Sequence, residues 1–204
     1  MKAALLRSLA LALLAAPWYP ASAQFRDEPD PTETNVSGKT PETIILSWPT
    51  YSYRLARAMI AQYGQPTEAR DEALVWHDNG PWKRTVVHRE APGGRAFKRN
   101  KGRLEQSAAY RADPAKLDLL ARYDREIEAD LSEGRLTSRA DTEAENFLAL
   151  NLADEVLTGR REPREAAQLR QKLLHEGPAG KSSSYRDGLM FGRDDQFANP
   201  ESPD

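Results

Sequence analysis

Residues 73–88 read ALVWHDNGPWKRTVVH, and this stretch decides the fold. Two short runs rich in Val, Trp and Thr stand on either side of Asp78, Asn79, Gly80 and Pro81, a composition typical of a β-hairpin. Pro81 has no amide hydrogen with which to close a two-residue turn centred on Asn79 and Gly80, so we expect a four-residue loop. The hairpin should be the foundation of a small antiparallel sheet.

Helical patterns lie on both sides of the hairpin. Before it, apolar residues recur at intervals of three and four up to Tyr63, and Gly64 followed by Pro66 provides a stop signal. After it, Asp113 and Pro114 have the N-cap and N1 residue types, and apolar residues at helical spacing follow. Both patterns predict amphipathic helices.

The longest predicted helix begins near Thr142. Thr142 and Glu145 have the spacing of a capping box, with Asp141 as an alternative cap, and Gly159 follows the last helical position. The apolar side chains of residues 147–153 point in every direction around the helix axis, which predicts the central core element. Pro163 opens a last amphipathic helix.

Two stretches between these elements are harder to assign. Residues 89–110 are polar, basic and glycine-rich around their centre, which predicts a long exposed loop whose basic residues are either solvated or contact an anionic partner. The basic residues are Arg95, Lys98, Arg99, Lys101 and Arg103. Residues 127–131 fit both a continued helix and a strand that would add to the hairpin, and periodicity does not decide between them.

These elements predict a single α+β domain over residues 44–176, in which three or four helices pack on one small antiparallel sheet. Residues 24–43 have few apolar side chains and three prolines, as a disordered leader would. Residues 177–204 are rich in Gly, Ser and Pro and are predicted to be a flexible tail. Within the tail, residues 185–191 (YRDGLMF) either bind a partner or pack on their own domain, and the composition favours packing.

Residues 1–23 have the layout of a secretory signal peptide. Lys2 and Arg7 precede a short apolar run, and Ala21 and Ala23 form an A-x-A cleavage site before Gln24. The run is shorter than the ~18 residues that span a bilayer, and the chain has no cysteine that could carry a lipid. We therefore predict export to the periplasm or the medium, cleavage near Ala23, and neither a transmembrane nor a lipid anchor.

The composition excludes several classes of protein. The 204 residues include no cysteine and three histidines, which excludes disulfide scaffolds, thiolate metal sites and Cys nucleophiles. The formal charge of −2, which becomes −4 when Lys2 and Arg7 are removed with the signal peptide, argues against nucleic-acid binding. His77 and His88 should lie about 20 Å apart along the hairpin. We therefore predict no metal site and no cofactor.

Four motifs resemble a group of uncharacterised secreted bacterial proteins. They are W-P at Trp48, A-x-x-M-I-x-x-Y-G-x-P over residues 56–66, L-V-W-x-x-x-G-P-W-K-R-T over residues 74–85, and F-L-A-L-N-L-A over residues 147–153. In that group the segment before the long helix is strand-like and carries a Cys near the position of Ala140. The resemblance implies a secreted α+β protein and no particular activity.

A second resemblance concerns the fold alone. A helix that ends in Y-G-x-P and is followed by a Trp-bearing hairpin is similar to the modules of outer-membrane assembly lipoproteins and of secreted inhibitors of β-lactamases. Such modules bind other proteins through the exposed face of a small sheet. The resemblance implies a binding role, but a fold does not determine function.

No catalytic residue is predicted from motifs. The serines stand in neither a G-x-S-x-G nor an S-x-x-K pattern. Asp141, Glu143 and Glu145 are close in sequence, but acidic residues in a first helical turn are favoured by the helix dipole without any catalysis.

The first candidate site is the hairpin surface. Trp76 and Trp82 flank the turn, and Lys83 and Arg84 follow Trp82. An exposed Trp beside Arg is typical of an interface hot spot, whereas two buried indoles would exclude this interpretation. The corresponding hypothesis is a non-catalytic binding module of the bacterial cell envelope whose partner is another envelope protein.

The second candidate site is a cleft near Arg139, Asp141 and Asn151. Asn151 lies in the most apolar part of the long helix, where its carboxamide needs hydrogen-bond partners. A buried link to a neighbouring loop is the favoured interpretation, and a ligand contact is the alternative. If the three residues line one cleft, an envelope enzyme, most simply a hydrolase, becomes the alternative function.

Overall fold

The structure is a computed structural model that describes residues 38–92, 102–176 and 183–192. The predicted signal peptide and residues 24–37 of the predicted leader lie outside the described residues. So do residues 177–182 and 193–204 of the predicted tail, and four of the five basic loop residues, namely Arg95, Lys98, Arg99 and Lys101.

In the part of the chain that the structure describes, six antiparallel strands form one sheet in the order β1-β2-β3-β4-β6-β5. The strands are β1 (Glu68–Ala69), β2 (Ala73–Asn79), β3 (Trp82–His88), β4 (Leu104–Ala109), β5 (Glu128–Asp130) and β6 (Arg135–Ala140). The predicted hairpin is the β2–β3 pair, which lies inside the sheet rather than at its edge.

The described helices are α1 (Pro41–Ile45), α2 (Thr50–Tyr63), α3 (Leu117–Tyr123), α4 (Glu143–Leu157), α5 (Pro163–Glu176) and α6 (Ser184–Asp187). The four longer ones, α2 to α5, are the four that the sequence predicts. Together with the antiparallel sheet, they confirm the α+β class. None of the described helices combines the length and the apolar character needed to cross a bilayer. Helix α1 begins at Pro41, three residues before the predicted start of the domain.

The helices pack on one face of the sheet and form two apolar clusters. Helices α1 and α2 cover Leu74, Trp76 and Val87. Helix α4, flanked by α3 and α5, covers Leu136 and its neighbours. Eleven of the 15 residues of α4 are buried, as expected of a central core element.

The turn of the hairpin differs from the prediction. Asn79 pairs with Trp82, so Gly80 and Pro81 form a two-residue connection and the predicted four-residue loop is wrong. Gly80 has φ +60°, the left-handed value that the first central position of a type II′ turn requires. Pro81 takes the second central position, where its missing amide hydrogen is not needed.

The largest correction concerns residues 89–110, which were expected to form an exposed loop. Their last part is β4, which pairs with β3 on one side and β6 on the other. The strand was missed because Glu105, Gln106 and Ser107 are polar although all three are buried. Gly102 precedes β4 and approaches β6 so closely that a Cβ atom there would lie 1.8 Å from the carbonyl oxygen of Ala140.

The ambiguous segment, residues 127–131, is a strand. Helix α3 ends at Tyr123, and β5 then pairs with β6 at the edge of the sheet. Strand β6 was not assigned from residue patterning either, because charged and polar residues alternate with its three buried ones. The strand alternative is therefore confirmed, although the new strand joins β6 and not the hairpin.

The C-terminal described segment packs on α4. The side chain of Asn151 donates to the carbonyl oxygens of Tyr185 and Gly188 and accepts from the amide of Met190, at 3.1, 2.8 and 2.7 Å. Phe191 contacts the ring of Tyr110 edge to face at 5.1 Å. This is the packing on the same domain that the composition favours.

Candidate functional site

The face of the sheet opposite the helices carries a row of polar and charged side chains. Direct cross-strand pairing places His77 beside Arg84, Arg84 beside Ser107, Ser107 beside Thr137, and Thr137 beside Glu128. We name these five residues the polar row. The row crosses β2, β3, β4, β6 and β5, and four strand spacings of ~4.8 Å give it a length of about 19 Å.

Glu105 on β4 is the most enclosed charged group of this face. Its Oε1 accepts a hydrogen bond from Arg84 at 2.7 Å, and its Oε2 accepts one from Arg139 at 2.7 Å and lies 3.3 Å from Nε2 of His88. Burial raises the pKa of Glu105, but hydrogen bonds from His88 and Arg139 and the charge of Arg139 outweigh it and lower the pKa to about 2. The carboxylate is therefore ionised at neutral pH and fixes the guanidinium groups.

Arg139 joins the centre of the face to its β5 edge. Besides Glu105, its guanidinium donates to Oε1 of Glu128 at 2.9 Å. Between these charges, the hydroxyl groups of Ser107 and Thr137 lie 2.8 Å apart on adjacent strands. Thus charged groups surround a pair of hydroxyl groups that can both donate and accept.

The connection between β5 and β6 forms a wall beside the polar row. Asp130 accepts hydrogen bonds from the backbone amides of Ser132 and Glu133 and from the hydroxyl of Ser132, all within 3.0 Å, and from Arg135 at 3.3 Å. These bonds, the Ser132 hydroxyl foremost, lower the pKa of Asp130 to about 2. They hold the connection in a fixed shape.

The wall and the polar row enclose a groove of about 680 Å³. Among the described residues, its lining is His77, Arg84, Glu105, Ser107, Glu128, Ala129, Asp130, Leu131, Ser132, Arg135 and Thr137. Charged and hydroxyl-bearing side chains dominate this lining. The groove is therefore suited to a polar ligand or partner that offers groups of both charges.

The two hairpin histidines are each next to one carboxylate. His77 Nε2 lies 3.1 Å from Glu68 Oε1, and His88 contacts Glu105 as described above. In the part of the chain that the structure describes, no three His, Asp or Glu side chains are grouped so that they could hold a metal ion. Each histidine gains an ion-pair partner when it is protonated.

Both hairpin tryptophans are buried, contrary to the interface hypothesis. The indole of Trp76 lies in the cluster under α2 and donates to the carbonyl oxygen of Gly64 at 3.0 Å. The indole of Trp82 stacks on Phe147 with ring centroids 4.8 Å apart. Apolar packing and satisfied indole N–H groups place both rings in the core, so an interface built on exposed indoles is excluded.

A buried polar network lies between the sheet and α4. Gln106 Nε2 donates to Oε1 of Glu143 at 3.0 Å, and Gln106 Oε1 accepts from Asn146 at 2.9 Å. Asn79 donates to the hydroxyl of Thr85 at 3.0 Å. This network explains how β4 can be polar in sequence and still be a central strand.

The two charged candidates on the hairpin, Lys83 and Arg84, have different surroundings. Arg84 lines the groove, whereas Lys83 does not. Lys83 is exposed and lies 3.0 Å from Asp78 Oδ1 at the hairpin end. Only Arg84 of the four hairpin candidates therefore belongs to the groove.

The structure does not bring Arg139, Asp141 and Asn151 together in one cleft. Arg139 lies on the open face against Glu105 and Glu128, while the Asn151 side chain is bonded to the C-terminal segment on α4. The backbone of Asp141 donates to Glu145 and accepts from the hydroxyl of Tyr51. The three-residue cleft is therefore wrong, because β6 and α4 direct these groups to different partners.

Most of the groove could not be predicted from the sequence. The candidates from the sequence include Arg84, which lines the groove, and Arg139, which binds the lining residues Glu105 and Glu128. They do not include Glu105, Ser107 or Thr137, because neither β4 nor β6 was assigned as a strand. The apolar signal in Leu104–Ala109 is weak, because Leu104 and Ala108 share one face of the strand with the polar Gln106, while Glu105 and Ser107 share the other.

In comparisons with family models, with curated proteins and with solved structures, nothing matches this chain. The resemblance of its motifs to secreted bacterial proteins therefore stays a prediction.

Proposed function

We propose that the chain is an exported, non-catalytic binding module of the bacterial cell envelope, and that it binds another envelope protein through the open face of its sheet. The observation that carries this proposal is the groove, whose guanidinium and carboxylate groups are held in place by one another. The N-terminal sequence supports export.

Fixed charges favour a binding role for this face. A long side chain normally loses rotamer freedom when it binds a partner, at a cost of about 0.5–1.5 kcal/mol. Arg84 and Arg139 are already ordered by Glu105, and further N–H groups of each guanidinium stay available for a partner. A surface preorganised in this way gives orientation and specificity.

The test is site-specific photo-crosslinking in the cells that make the protein. A photoreactive amino acid at position 77, within the groove, should give a defined crosslinked species. The same amino acid at position 172, an exposed site on α5, is the control and should give none. Replacing Arg139 by Ala should reduce the groove crosslink without unfolding the protein.

Equal crosslinking at both positions, or none at position 77, would contradict the proposal. Export is tested separately by fractionation and by the mass of the mature chain, which should begin at Gln24. A full-length chain in the cytosolic fraction would contradict export.

A further inference from the structure

The charges of the open face are not distributed evenly along the polar row. Where β2 and β3 border the groove, the cation of the lining ion pair is the more accessible group, because the side chain of Arg84 is 34% exposed and that of its partner Glu105 only 11%. Arg70, on the chain between β1 and β2, is likewise far more exposed than its partner Glu68. A ligand that reaches this end meets cations first.

At the end formed by β5 and β6, the order is reversed. The side chain of Glu128 is 60% exposed, whereas its partner Arg139 is 28% exposed. Asp130 and Glu133 are also more exposed than Arg135, to which both are paired. A ligand that reaches this end meets carboxylates first.

The middle of the row is neutral. Ser107 and Thr137 use one hydroxyl hydrogen for their mutual bond, and the other hydrogen and the remaining lone pairs can serve a ligand. In the described lining no Trp, Tyr or Phe is present that could stack on a sugar or a base. Peptide groups, which both donate and accept, suit these hydroxyl groups.

We propose that the groove binds an extended peptide segment of separated charge, with carboxylates toward Arg84 and ammonium or guanidinium groups toward Glu128. The row is about 19 Å long, which corresponds to about six extended residues at ~3.3 Å each. This inference rests on the proposed function, because it names the chemistry of the partner at the same face. A polyanion fits less well, since each guanidinium already has a carboxylate neighbour.

The probe is a blocked, fluorescent hexapeptide with two aspartates, two serines and two lysines in that order, measured by anisotropy at low ionic strength. Its comparators are a peptide of the same composition with alternating charges, an acidic peptide and a basic peptide. The separated-charge peptide should bind the full chain about three- to fivefold more tightly than any comparator, as expected for exposed ion pairs. Added salt should weaken the binding of the separated-charge peptide.

Two variants test the two ends separately. Arg84→Met and Glu128→Gln should each weaken the binding of the separated-charge peptide by about three- to fivefold. Arg122→Met is the matched control, because Arg122 is an exposed arginine of α3 outside the groove, and it should not change binding. Circular dichroism of each variant checks that the sheet is intact. If Arg84→Met unfolds, the binding measured with Glu128→Gln still tests the inference.

Tighter binding of the acidic or the basic peptide, or equal binding of all four, overturns the inference. If it fails in this way while the crosslink at position 77 persists, the proposed function stands and only the partner chemistry is wrong. If the crosslink is also absent, the proposed function fails with it.

Discussion

The indole nitrogen of Trp82 lies 2.6 Å from Oε1 of Glu143, and this hydrogen bond joins the hairpin to the first turn of α4. The same oxygen accepts from the hydroxyl of Tyr63 at 2.5 Å and from Gln106 at 3.0 Å. Burial, followed by the hydrogen bond and the charge of Glu143, raises the pKa of Tyr63 well above its usual value. One carboxylate therefore connects α2, β3, β4 and α4.

Replacing Glu143 by Ala should lower the free energy of unfolding by about 2–4 kcal/mol. The variant leaves the donors of Trp82, Tyr63 and Gln106 without their acceptor, and an unpaired buried donor costs about 1–3 kcal/mol. Urea unfolding followed by tryptophan fluorescence measures the loss.

The control for this variant is Glu165→Ala. Glu165 is an exposed acidic residue in the first turn of α5, so its loss should cost no more than about 0.5 kcal/mol. Equal stability of the two variants would show that Glu143 does not organise the core.

The ionisation of Glu105 should make stability fall in acid. The folded-state pKa of about 2 lies below the ordinary value of 4.5, so the stabilisation is complete above pH 4.5 and is lost as the pH falls from 4.5 toward 2. A shift of this size corresponds to about 3 kcal/mol at most. Urea unfolding at a series of pH values measures the slope.

The comparison for this slope is Glu105→Gln, which removes the titrating group. This variant should be less stable at neutral pH, because Arg84 and Arg139 lose their shared carboxylate. It should also lose less stability than the wild type between pH 4.5 and 2. Parallel profiles for both proteins would mean that other carboxylates account for the acid sensitivity.

Gly102→Ala should destabilise the protein by at least about 2 kcal/mol, measured by urea unfolding. The added Cβ would lie 1.8 Å from the carbonyl oxygen of Ala140, so β4 and β6 would have to separate at this end. A change within about 0.5 kcal/mol would show that the close approach of the two strands is not required.

The elements that could be predicted from the sequence are those with a local signal. Helix α2 ends at Gly64, which has φ +79°, and α4 begins with Thr142 accepting from the amide of Glu145, as their stop and cap residues indicate. The hairpin strands were predicted as well. Apolar periodicity, turn residues and caps each act within a few residues, so they are readable without the tertiary fold.

The central strand β4 could not be predicted, because its stability comes from distant partners. Gln106 is fully buried, yet its side chain is satisfied by Glu143 and Asn146, which lie 37 and 40 residues away along the chain. Glu105 likewise depends on Arg84 and Arg139. The groove was missed for the same reason, since its charges neutralise one another only after β3, β4 and β6 have paired.

The C-terminal segment should loosen when Asn151 is replaced by Asp. The new carboxylate could still accept from the amide of Met190, but it would lose both donors and face the carbonyl oxygens of Tyr185 and Gly188. Hydrogen exchange at the Met190 amide reports local opening, and we expect it to be at least about tenfold faster in the variant. Gln168→Leu, at an exposed position of α5, is the control and should leave this amide unchanged. Exchange as slow as in the wild type would show that apolar contacts such as that of Phe191 with Tyr110 hold the segment without Asn151.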